Sequence, residues 1–288
     1  MKLILSICGG GIRGAIPATF LLRLEQRTGK PCGEIFDLIA GTSTGGILAC
    51  ALAAKIPAQE IVNLYRDKGA SIFARKWNRQ QFLRSKYAED GIDGALGEVF
   101  GARKFTCLDP RVLVPAFDMV NAESYHFKSW DCDPGLTSVE VARATSAAPT
   151  YFPLAGRRFA DGGLFANDPS MNALIEAQII WPRETMIMLS LGTGFKAEHL
   201  KVVEDGGIVE WGPELITILM GGSASDVEYM VKASLGPNFL RVNEALPDTV
   251  NAAMDDATTS NIVAMEQWGD QLASKYAGHI FQIKSLLK

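Results

Sequence analysis

A serine flanked by glycines stands where an apolar run gives way to a helical pattern. Gly41, Ser43 and Gly45 match the spacing G-x-S-x-G, between the strand-like FDLIA and the helix-like GGILACALAAK. In that setting the chain makes a sharp strand-to-helix turn, which holds a serine hydroxyl near the positive end of a helix dipole. The pattern indicates a nucleophile; its alternative is a glycine-rich turn in which Ser43 or Thr44 caps the helix.

A second glycine cluster precedes the first helical pattern. Gly9, Gly11 and Gly14 in ICGGGIRG satisfy G-x-G-x-x-G, the spacing of a dinucleotide-binding turn. Such a fold needs an acidic residue at the end of the next strand to bind the ribose, whereas Asp37 opens that strand. A nucleotide-dependent oxidoreductase is therefore a distant alternative. The same backbone N–H groups can instead stabilise another negative charge, such as the oxyanion of acyl transfer.

A serine nucleophile needs a base, and the histidines offer none at an obvious strand end. His126 lies inside a strand-like run, His199 in a charged stretch and His279 in the terminal helical sequence. We expect each of them to be structural or exposed. A carboxylate can serve instead. Asp161 follows the short strand-like run RRFA and precedes two glycines, although by itself this Asp-Gly pair is typical of a turn.

Three motifs, taken in order, carry a family resemblance. GGGIRG at Gly9–Gly14, GTSTG at Gly41–Gly45 and DGG at Asp161–Gly163 resemble the motifs of the patatin-like phospholipase family. ARATSAAPTYFP and SLGTG are similar as well, so that the match extends over residues 1–195 and is looser beyond them. Three ordered motifs are far more specific than any one alone. The whole chain, residues 1–288, is expected to form a single domain.

The resemblance implies a three-layer α/β/α fold with a largely parallel central sheet, related to the α/β-hydrolases. It also implies metal-independent hydrolysis of lipid acyl esters, with no cofactor, through a Ser–Asp dyad and an acyl-enzyme. By position, it implies that Ser43 is the nucleophile and that Asp161 is the base. The residues expected to form the oxyanion hole are Gly9, Gly10 and Gly11, and those expected to support the site are Arg13, Thr44, Gly41, Gly45, Gly162 and Gly163.

Three positions need a separate comment. Thr44 is a further N–H donor by the logic of the strand-to-helix turn, and not by the resemblance. Arg13 either holds the glycine loop in shape or is an exposed arginine at the start of a helix. Cys8 departs from the family, whose glycine loop is usually preceded by Asp. We expect this departure to alter the support of the loop and not to abolish the mechanism.

Composition limits the other classes of function. The 288 residues are 48% hydrophobic and 21% charged, and the net charge of −4 does not favour DNA or RNA binding. No apolar run approaches the roughly 18 residues that span a bilayer, and the N-terminal run lacks the features of a signal peptide. Five cysteines without a C-x-x-C pair, and three scattered histidines, favour a reduced cytoplasmic protein without a metal site.

The elements that must position these residues alternate along the chain. Strand-like runs are KLILSI, FDLIAG, RVLVPAFDM, ESYHFKSW, RRFADGG, TMIMLSLGTG and FLRVN. Helical patterns are PATFLLRLEQRTG, GGILACALAAK, AQEIVNLYRDKGASIF, SVEVARATSAAP, PSMNALIEAQII and PELITILMGGSASDVEYMVKAS, and helical sequence continues from FLRVN to the C-terminus. This alternation predicts a largely parallel sheet covered by helices, with residues 196–288 completing the domain.

Two segments bear on how a lipid reaches the site. Residues 74–86 carry five cations and no acid, interleaved with Trp77, Phe82 and Leu83, and they form either a membrane-docking patch or a solvated loop. Residues 214–225 belong to an acyl channel or mobile cover, or else to a core helix. The expected partners are a phospholipid or lysophospholipid and, transiently, a membrane surface. The sequence also allows a homodimer and a small-molecule regulator. An alternative function is a non-catalytic lipid- or protein-binding module.

Overall fold

The computed structural model describes residues 1–74, 84–196 and 208–280, with the backbone alone for 208–220. Within these ranges a single sheet of seven strands runs through the molecule. The strands are β1 (Lys2–Ile7), β2 (Leu38–Gly41), β3 (Arg111–Asp118), β4 (Glu123–Lys128), β5 (Phe159–Asp161), β6 (Met186–Leu191) and β7 (Phe239–Val242).

Ten α-helices in the described part of the chain accompany the sheet. They are α1 (Ala15–Thr28), α2 (Cys32–Ile35), α3 (Thr44–Ala53), α4 (Ala58–Ile72), α5 (Glu89–Phe100), α6 (Ser138–Thr145), α7 (Gly163–Ala166), α8 (Ser170–Ile180), α9 (Ile208–Leu235) and α10 (Thr259–Lys275). A short 3₁₀ helix, Gly11–Gly14, leads into α1, which ends at the left-handed Gly29 as its sequence predicts. Across the same residues, no helix combines the length and the apolar character needed to cross a membrane.

The sheet is largely parallel, as the alternating sequence pattern predicts. Its strand order is β4-β3-β2-β1-β6-β7, and β5 pairs with β3 beside this path. The pairs β1–β2, β1–β6, β2–β3 and β6–β7 are parallel, whereas β4 and β5 run antiparallel to β3. The central strands are buried along nearly their whole length, which is typical of parallel strands covered by helices on both faces.

Two hydrophobic clusters lie on opposite faces of the sheet, because successive side chains of a strand point to opposite sides. Leu5 and Ile7 of β1 belong to one cluster, which also includes residues of α1, α3, α4 and α10. Ile4 of the same strand belongs to the other cluster, which includes residues of α8 and α9. The helices therefore form a layer on each face, and the three-layer α/β/α fold is confirmed.

Two segments differ from the sequence-based prediction. The helix α5 was not predicted, because Gly91, Gly94 and Gly97 lower its helix propensity; burial of its apolar face, including Ile92, stabilises it instead. Residues 244–258 were predicted to be helical, but they form an irregular connection between β7 and α10. Local hydrogen bonds to asparagine and aspartate side chains replace a helical ladder there.

The topology brings the three glycine-containing motifs to one edge of the sheet. Ile7, the last residue of β1, pairs with Gly41, the last residue of β2. The strand β5 pairs with residues 116–118 of β3, beyond the part of β3 that pairs with β2. The loops that follow β1, β2 and β5 are therefore neighbours, even though the third lies far along the chain from the first two.

Candidate active site

The turn between β2 and α3 is held in shape by close backbone contacts. Ser43 adopts φ 56° and ψ −125°, a conformation that non-glycine residues rarely take and that costs about 1–3 kcal/mol. A Cβ atom on Gly41 would lie 2.0 Å from the carbonyl oxygen of Gly45, and one on Gly45 would lie 2.2 Å from that of Ile7. Both glycines of G-x-S-x-G are therefore required by steric fit, and Ser43 is presented at the N-cap of α3.

Thr145, the last residue of α6, links this turn to the strand β3. The backbone N–H of Ser43 donates a hydrogen bond to the Thr145 hydroxyl at 2.9 Å. That hydroxyl in turn donates to the backbone oxygen of Pro115 at 2.6 Å. The sequence predicted no role for this threonine, although it lies in the family-like stretch ARATSAAPTYFP, because Ser43 and Pro115 are distant from it in the chain.

Asp161 lies beside Ser43, at the end of β5. The Ser43 hydroxyl lies close enough to the Asp161 carboxyl to lower its pKa, and the backbone N–H of Gly163 donates to Asp161 Oδ1 at 2.7 Å. The Asp161 N–H donates to the carbonyl of Ala147 at 3.0 Å, which fixes the backbone. Gly162 is required here too, because a Cβ atom at this position would lie 2.3 Å from the backbone oxygen of Pro115.

The environment of Asp161 changes its acidity. Both Ser43 and Asp161 are buried, with 7% and 3% of their surface exposed. Burial raises the pKa of the Asp161 carboxyl to about 6, and the nearby Ser43 hydroxyl and the hydrogen bond from Gly163 oppose that rise. A carboxylate with this pKa is ionised at neutral pH, yet it is basic enough to accept a proton.

The glycine loop after β1 faces the same site, but its three glycines are not equivalent. Gly10 and Gly11 line the cavity next to Ser43. Within the described residues, their N–H groups donate no hydrogen bond. The N–H of Gly9 instead donates to the carbonyl of Asn167 at 3.1 Å. This differs from the expectation that all three N–H groups are available to an oxyanion, and it leaves Gly10 and Gly11 as the candidates.

The loop is fastened to the end of β6. Thr193 donates from its hydroxyl to the carbonyl of Gly9 at 2.9 Å. Arg13 donates to the carbonyl of Gly10 at 3.4 Å and to that of Gly194 at 3.3 Å, and burial lowers the pKa of its guanidinium. These contacts favour the interpretation in which Arg13 holds the loop in shape. They also give a structural role to SLGTG, which the sequence identified only by similarity.

Cys8 lies beneath the loop, in contact with a buried ion pair. The guanidinium of Arg241 donates to Cys8 Sγ at 3.1 Å and lies 3.0 Å from Asp168 Oδ2. Burial raises the pKa of the Cys8 thiol to about 12, so the thiol stays protonated. Cys8 is therefore uncharged, and the carboxylate that faces Arg241 beneath the loop belongs to Asp168.

An apolar cavity leads away from Ser43 and Asp161 between α4 and α5. Ser43, Thr44, Asp161 and Gly163 line it together with Gly10 and Gly11. The hydroxyl groups of Thr44 and Tyr65 are hydrogen-bonded to each other on its wall. The large apolar residues of its lining are Ile12, Ile47, Leu64, Ile72, Phe73, Ile92, Leu96, Phe152, Leu164 and Met254. Such a lining is compatible with an apolar ligand.

The described lining residues of this cavity include no histidine. His126 lies on β4, where its ring nitrogen Nε2 is 2.9 Å from Nδ2 of Asn172, and burial lowers its pKa. His279 lies in the C-terminal segment after α10, and His199 lies outside the described residues. Among the described residues, no group of three or more His, Cys, Asp or Glu side chains is arranged to hold a metal ion.

Two expected lipid-contact segments have different outcomes. Most of residues 74–86, the segment given as a docking patch or a solvated loop, lies outside the described ranges. Of residues 214–225, the side chains are described only from Gly221 onward, and none of these lines the cavity. Gly221 and Gly222 are exposed, so this part of α9 is not the core helix that its composition favours. The cavity wall comes from α4 and α5 instead.

Comparison with known proteins gives matches over nearly the whole chain. The family model described as patatin-like phospholipase matches residues 5–174. A cGAMP-activated phospholipase of Pseudomonas aeruginosa is 34% identical, with 96% of this chain and 89% of that protein covered. Patatin-like protein 4 of Arabidopsis thaliana is 28% identical, with coverages of 93% and 82%.

A solved structure also resembles the fold. Human GIVD cytosolic phospholipase A2, in complex with a methyl γ-linolenyl fluorophosphonate inhibitor and terbium chloride, matches with a TM-score of 0.53 at 11% sequence identity. The match covers 99% of this chain and 59% of that one. At this level of identity the likeness concerns the architecture alone.

Proposed function

Since this chain belongs to the patatin-like phospholipase family, we propose that it hydrolyses acyl esters of phospholipids or lysophospholipids, with Ser43 as nucleophile and Asp161 as general base. The observation that carries the proposal is that the Ser43 hydroxyl and the buried Asp161 carboxyl line one apolar cavity, close enough for Ser43 to lower the pKa of Asp161. A nucleophile, a base and a hydrocarbon-binding space then occupy one site.

In the first half of the reaction, the Ser43 oxygen attacks the ester carbonyl while Asp161 accepts its proton. The N–H groups of Gly10 and Gly11, with that of Thr44, stabilise the oxyanion of the tetrahedral intermediate; each such donor contributes about 3–4 kcal/mol. The intermediate collapses as Asp161 returns the proton to the departing alcohol oxygen. The acyl group is then bound to Ser43, and its chain lies in the cavity.

In the second half, water takes the place of the alcohol. Asp161 accepts a proton from water, the resulting hydroxide adds to the acyl carbonyl, and collapse of the second intermediate returns the proton to Ser43. A carboxylate is a weaker base than imidazole, and an alcohol leaves more readily than an amine. This chemistry therefore suits esters better than amides.

A serine-directed probe tests the proposal. A fluorophosphonate with a long alkyl chain should label the protein, and Ser43→Ala should abolish the labelling. Ser146→Ala is a matched control, because Ser146 lines the same cavity but donates its hydroxyl to the carbonyl of Ala142 at 2.7 Å. Labelling that persists in Ser43→Ala would contradict the assignment. A folded protein that binds lipid without being labelled would favour a non-catalytic binding module.

The substrate and its regulation need separate assays. Mass spectrometry of products from position-labelled phospholipids and lysophospholipids identifies the headgroup and the ester that is cleaved. Because the Pseudomonas relative is named a cGAMP-activated phospholipase, we extend the proposal to activation by a small molecule. Addition of cGAMP to the same assay should raise the rate, and an unchanged rate would contradict activation by that nucleotide.

A further inference from the structure

One irregular segment contributes a residue to the catalytic pocket without belonging to any motif. Residues 250–257, called the strap here, lie between β7 and α10, and Met254 lines the cavity. The carbonyl of Met254 accepts the N–H of Ile12 at 2.9 Å. It lies so near the glycine loop that a Cβ atom on Gly11 would be 2.2 Å from it. The strap therefore covers the backbone that faces the reacting ester.

The two ends of the strap are anchored independently of its centre. Val250 is buried, and the side chain of Asn261 in α10 accepts the N–H of Asn251 at 2.9 Å. Asn261 also donates to the carbonyl of Asp256 at 2.9 Å. Between these anchors the residues are exposed or partly exposed, and apart from Met254 they bury little apolar surface. Such a segment can open at low cost while its ends stay in place.

The centre of the strap is held by a polar contact with the residues that precede α5. Asp255 Oδ2 is paired with Lys86 Nζ, and the hydroxyl of Tyr87 donates to the same oxygen at 2.6 Å. The backbone N–H groups of Lys86 and Tyr87 donate to the carbonyls of Thr150 and Tyr151, each at 2.8 Å. The cation and the hydroxyl are thus positioned by the cavity wall itself.

The arrangement of Lys86 and Tyr87 is that of an anion site. An ammonium group and a phenol hydroxyl converge on one carboxylate oxygen, and the Asp255 side chain is only 12% exposed. Lys86 Nζ also lies over the Tyr87 and Tyr151 rings, at 5.5 and 5.6 Å from their centroids. A phosphate oxygen has the same charge and the same accepting capacity as the carboxylate oxygen that is bound there.

We propose that the strap is a cover over the catalytic pocket, held shut by Asp255 in a phosphate subsite formed by Lys86 and Tyr87, and that the headgroup phosphate of the lipid substrate displaces Asp255. The exchange moves Met254 away from the glycine loop as the ester reaches Ser43. This inference rests on the proposed hydrolysis at Ser43, and it adds a residue-level site for the phosphate and a reason for preferring phospholipids to neutral esters.

Two substrates that differ in the phosphate separate this inference from the proposed function. Palmitoyl lysophosphatidylcholine and monopalmitoylglycerol carry the same acyl ester, and only the first has a phosphate. Labelling by the fluorophosphonate reports on Ser43 in every variant. A wild-type protein that is not labelled and hydrolyses neither substrate would refute the proposed function. The inference is judged separately, by the ratio of the kcat/KM values for the two substrates.

Substitutions on the two sides of the contact should move that ratio in opposite directions. Lys86→Met should lower the ratio of lysophospholipid to monoacylglycerol hydrolysis by about tenfold, because a charge-assisted contact to phosphate is lost. Asp255→Asn should raise kcat/KM for the lysophospholipid several-fold, because the competing carboxylate is gone. The exposed pair of Lys68 and Glu98 provides matched controls, Lys68→Met and Glu98→Gln, which should leave the ratio unchanged.

Three results would overturn the inference. An Asp255→Asn protein with lower or unchanged activity on the lysophospholipid would mean that Asp255 only supports the loop. Equal decreases in kcat/KM for both substrates in Lys86→Met would contradict the phosphate subsite. Stimulation of monoacylglycerol hydrolysis by inorganic phosphate alone would assign the site to a free anion instead of a headgroup. Circular dichroism and thermal unfolding of each variant ensure that the comparison is made on folded proteins.

Discussion

The turn around Ser43 and the strap both face the catalytic pocket, but they are held in place by different forces. In the turn, backbone atoms approach so closely that Gly41 and Gly45 admit no side chain. In the strap, the central contacts seen among the described residues are hydrogen bonds and an ion pair, which water or another anion can replace. Steric fit of this kind allows one conformation, whereas exchangeable polar contacts allow a closed and an open one. The comparison predicts that damage to the turn abolishes function and that damage to the strap tunes it.

The largest effect is expected from the base that acts on Ser43. Asp161→Asn should lower ester hydrolysis by about 10⁴-fold, because an amide cannot accept the serine proton. The measurement is kcat/KM on p-nitrophenyl butyrate, with thermal unfolding to verify the fold. Asp133→Asn is a matched control, since Asp133 accepts the N–H of Gly135 at 2.7 Å, as Asp161 accepts that of Gly163. If Asp161 were only a turn residue, the two variants would behave alike.

The second-largest effect is expected from adding a methyl group to the turn around Ser43. Gly41→Ala should lower the free energy of unfolding by about 3 kcal/mol, because the new Cβ atom overlaps the backbone of Gly45. Gly97→Ala, on α5, is the matched control: no atom lies within 4 Å of its added Cβ, and alanine should stabilise the helix by about 0.5–1 kcal/mol. Urea unfolding measures both. Equal effects would mean that the turn is less rigid than its contacts imply.

The raised pKa of Asp161 predicts opposite pH dependences of activity and stability. Activity requires the ionised carboxylate, so kcat/KM should fall about tenfold per pH unit below about 6. Because this pKa is raised on folding, the native state binds more protons than the unfolded state between pH 4 and 6. The stability contributed by Asp161 is therefore complete below about pH 4 and is lost as the pH rises through 6.

Rate profiles and urea unfolding at several pH values measure these two dependences. Asp161→Asn provides the reference for stability, since it has no proton to exchange at this position. A wild-type rate that stays constant from pH 7 to pH 5 would contradict the assignment of Asp161 as the base. A stability difference between the two proteins that does not vary with pH would contradict the raised pKa.

The smallest effect concerns the backbone strain at Ser43. Both Ser43→Gly and Ser43→Ala remove the nucleophile, but only glycine adopts a φ of 56° without strain. Ser43→Gly should therefore have a free energy of unfolding about 1 kcal/mol higher than that of Ser43→Ala. The difference in denaturant midpoint at equal slope measures it. A glycine variant that is less stable than the alanine variant would show that the turn is not strained.

The parts that the sequence predicted well are those in which a few neighbouring residues decide the conformation. The strands KLILSI and FDLIAG, the helix that ends at Gly29 and the two glycine loops follow from local patterns of apolar residues and glycine. The helix α5 escaped prediction, because three glycines hide an apolar face that is stabilised only by packing. The strap was not predicted either, since its alanines and acidic residues are compatible with a helix. Its irregular form comes from the contacts of Asn261 with Asn251 and Asp256, and from those of Asp255 with Lys86 and Tyr87.

The candidate site divides in the same way. The sequence by itself predicted the serine turn and the glycine loop, because the glycine spacing of each is a local pattern, and for Gly41 the steric exclusion by Gly45 is local as well. Only the tertiary structure decided that Asp161 lies against Ser43, that Thr145 fixes the serine backbone and that Gly9 gives its N–H to Asn167. Each of these depends on strand order and on the pairing of β5 with β3, which no short stretch of sequence encodes.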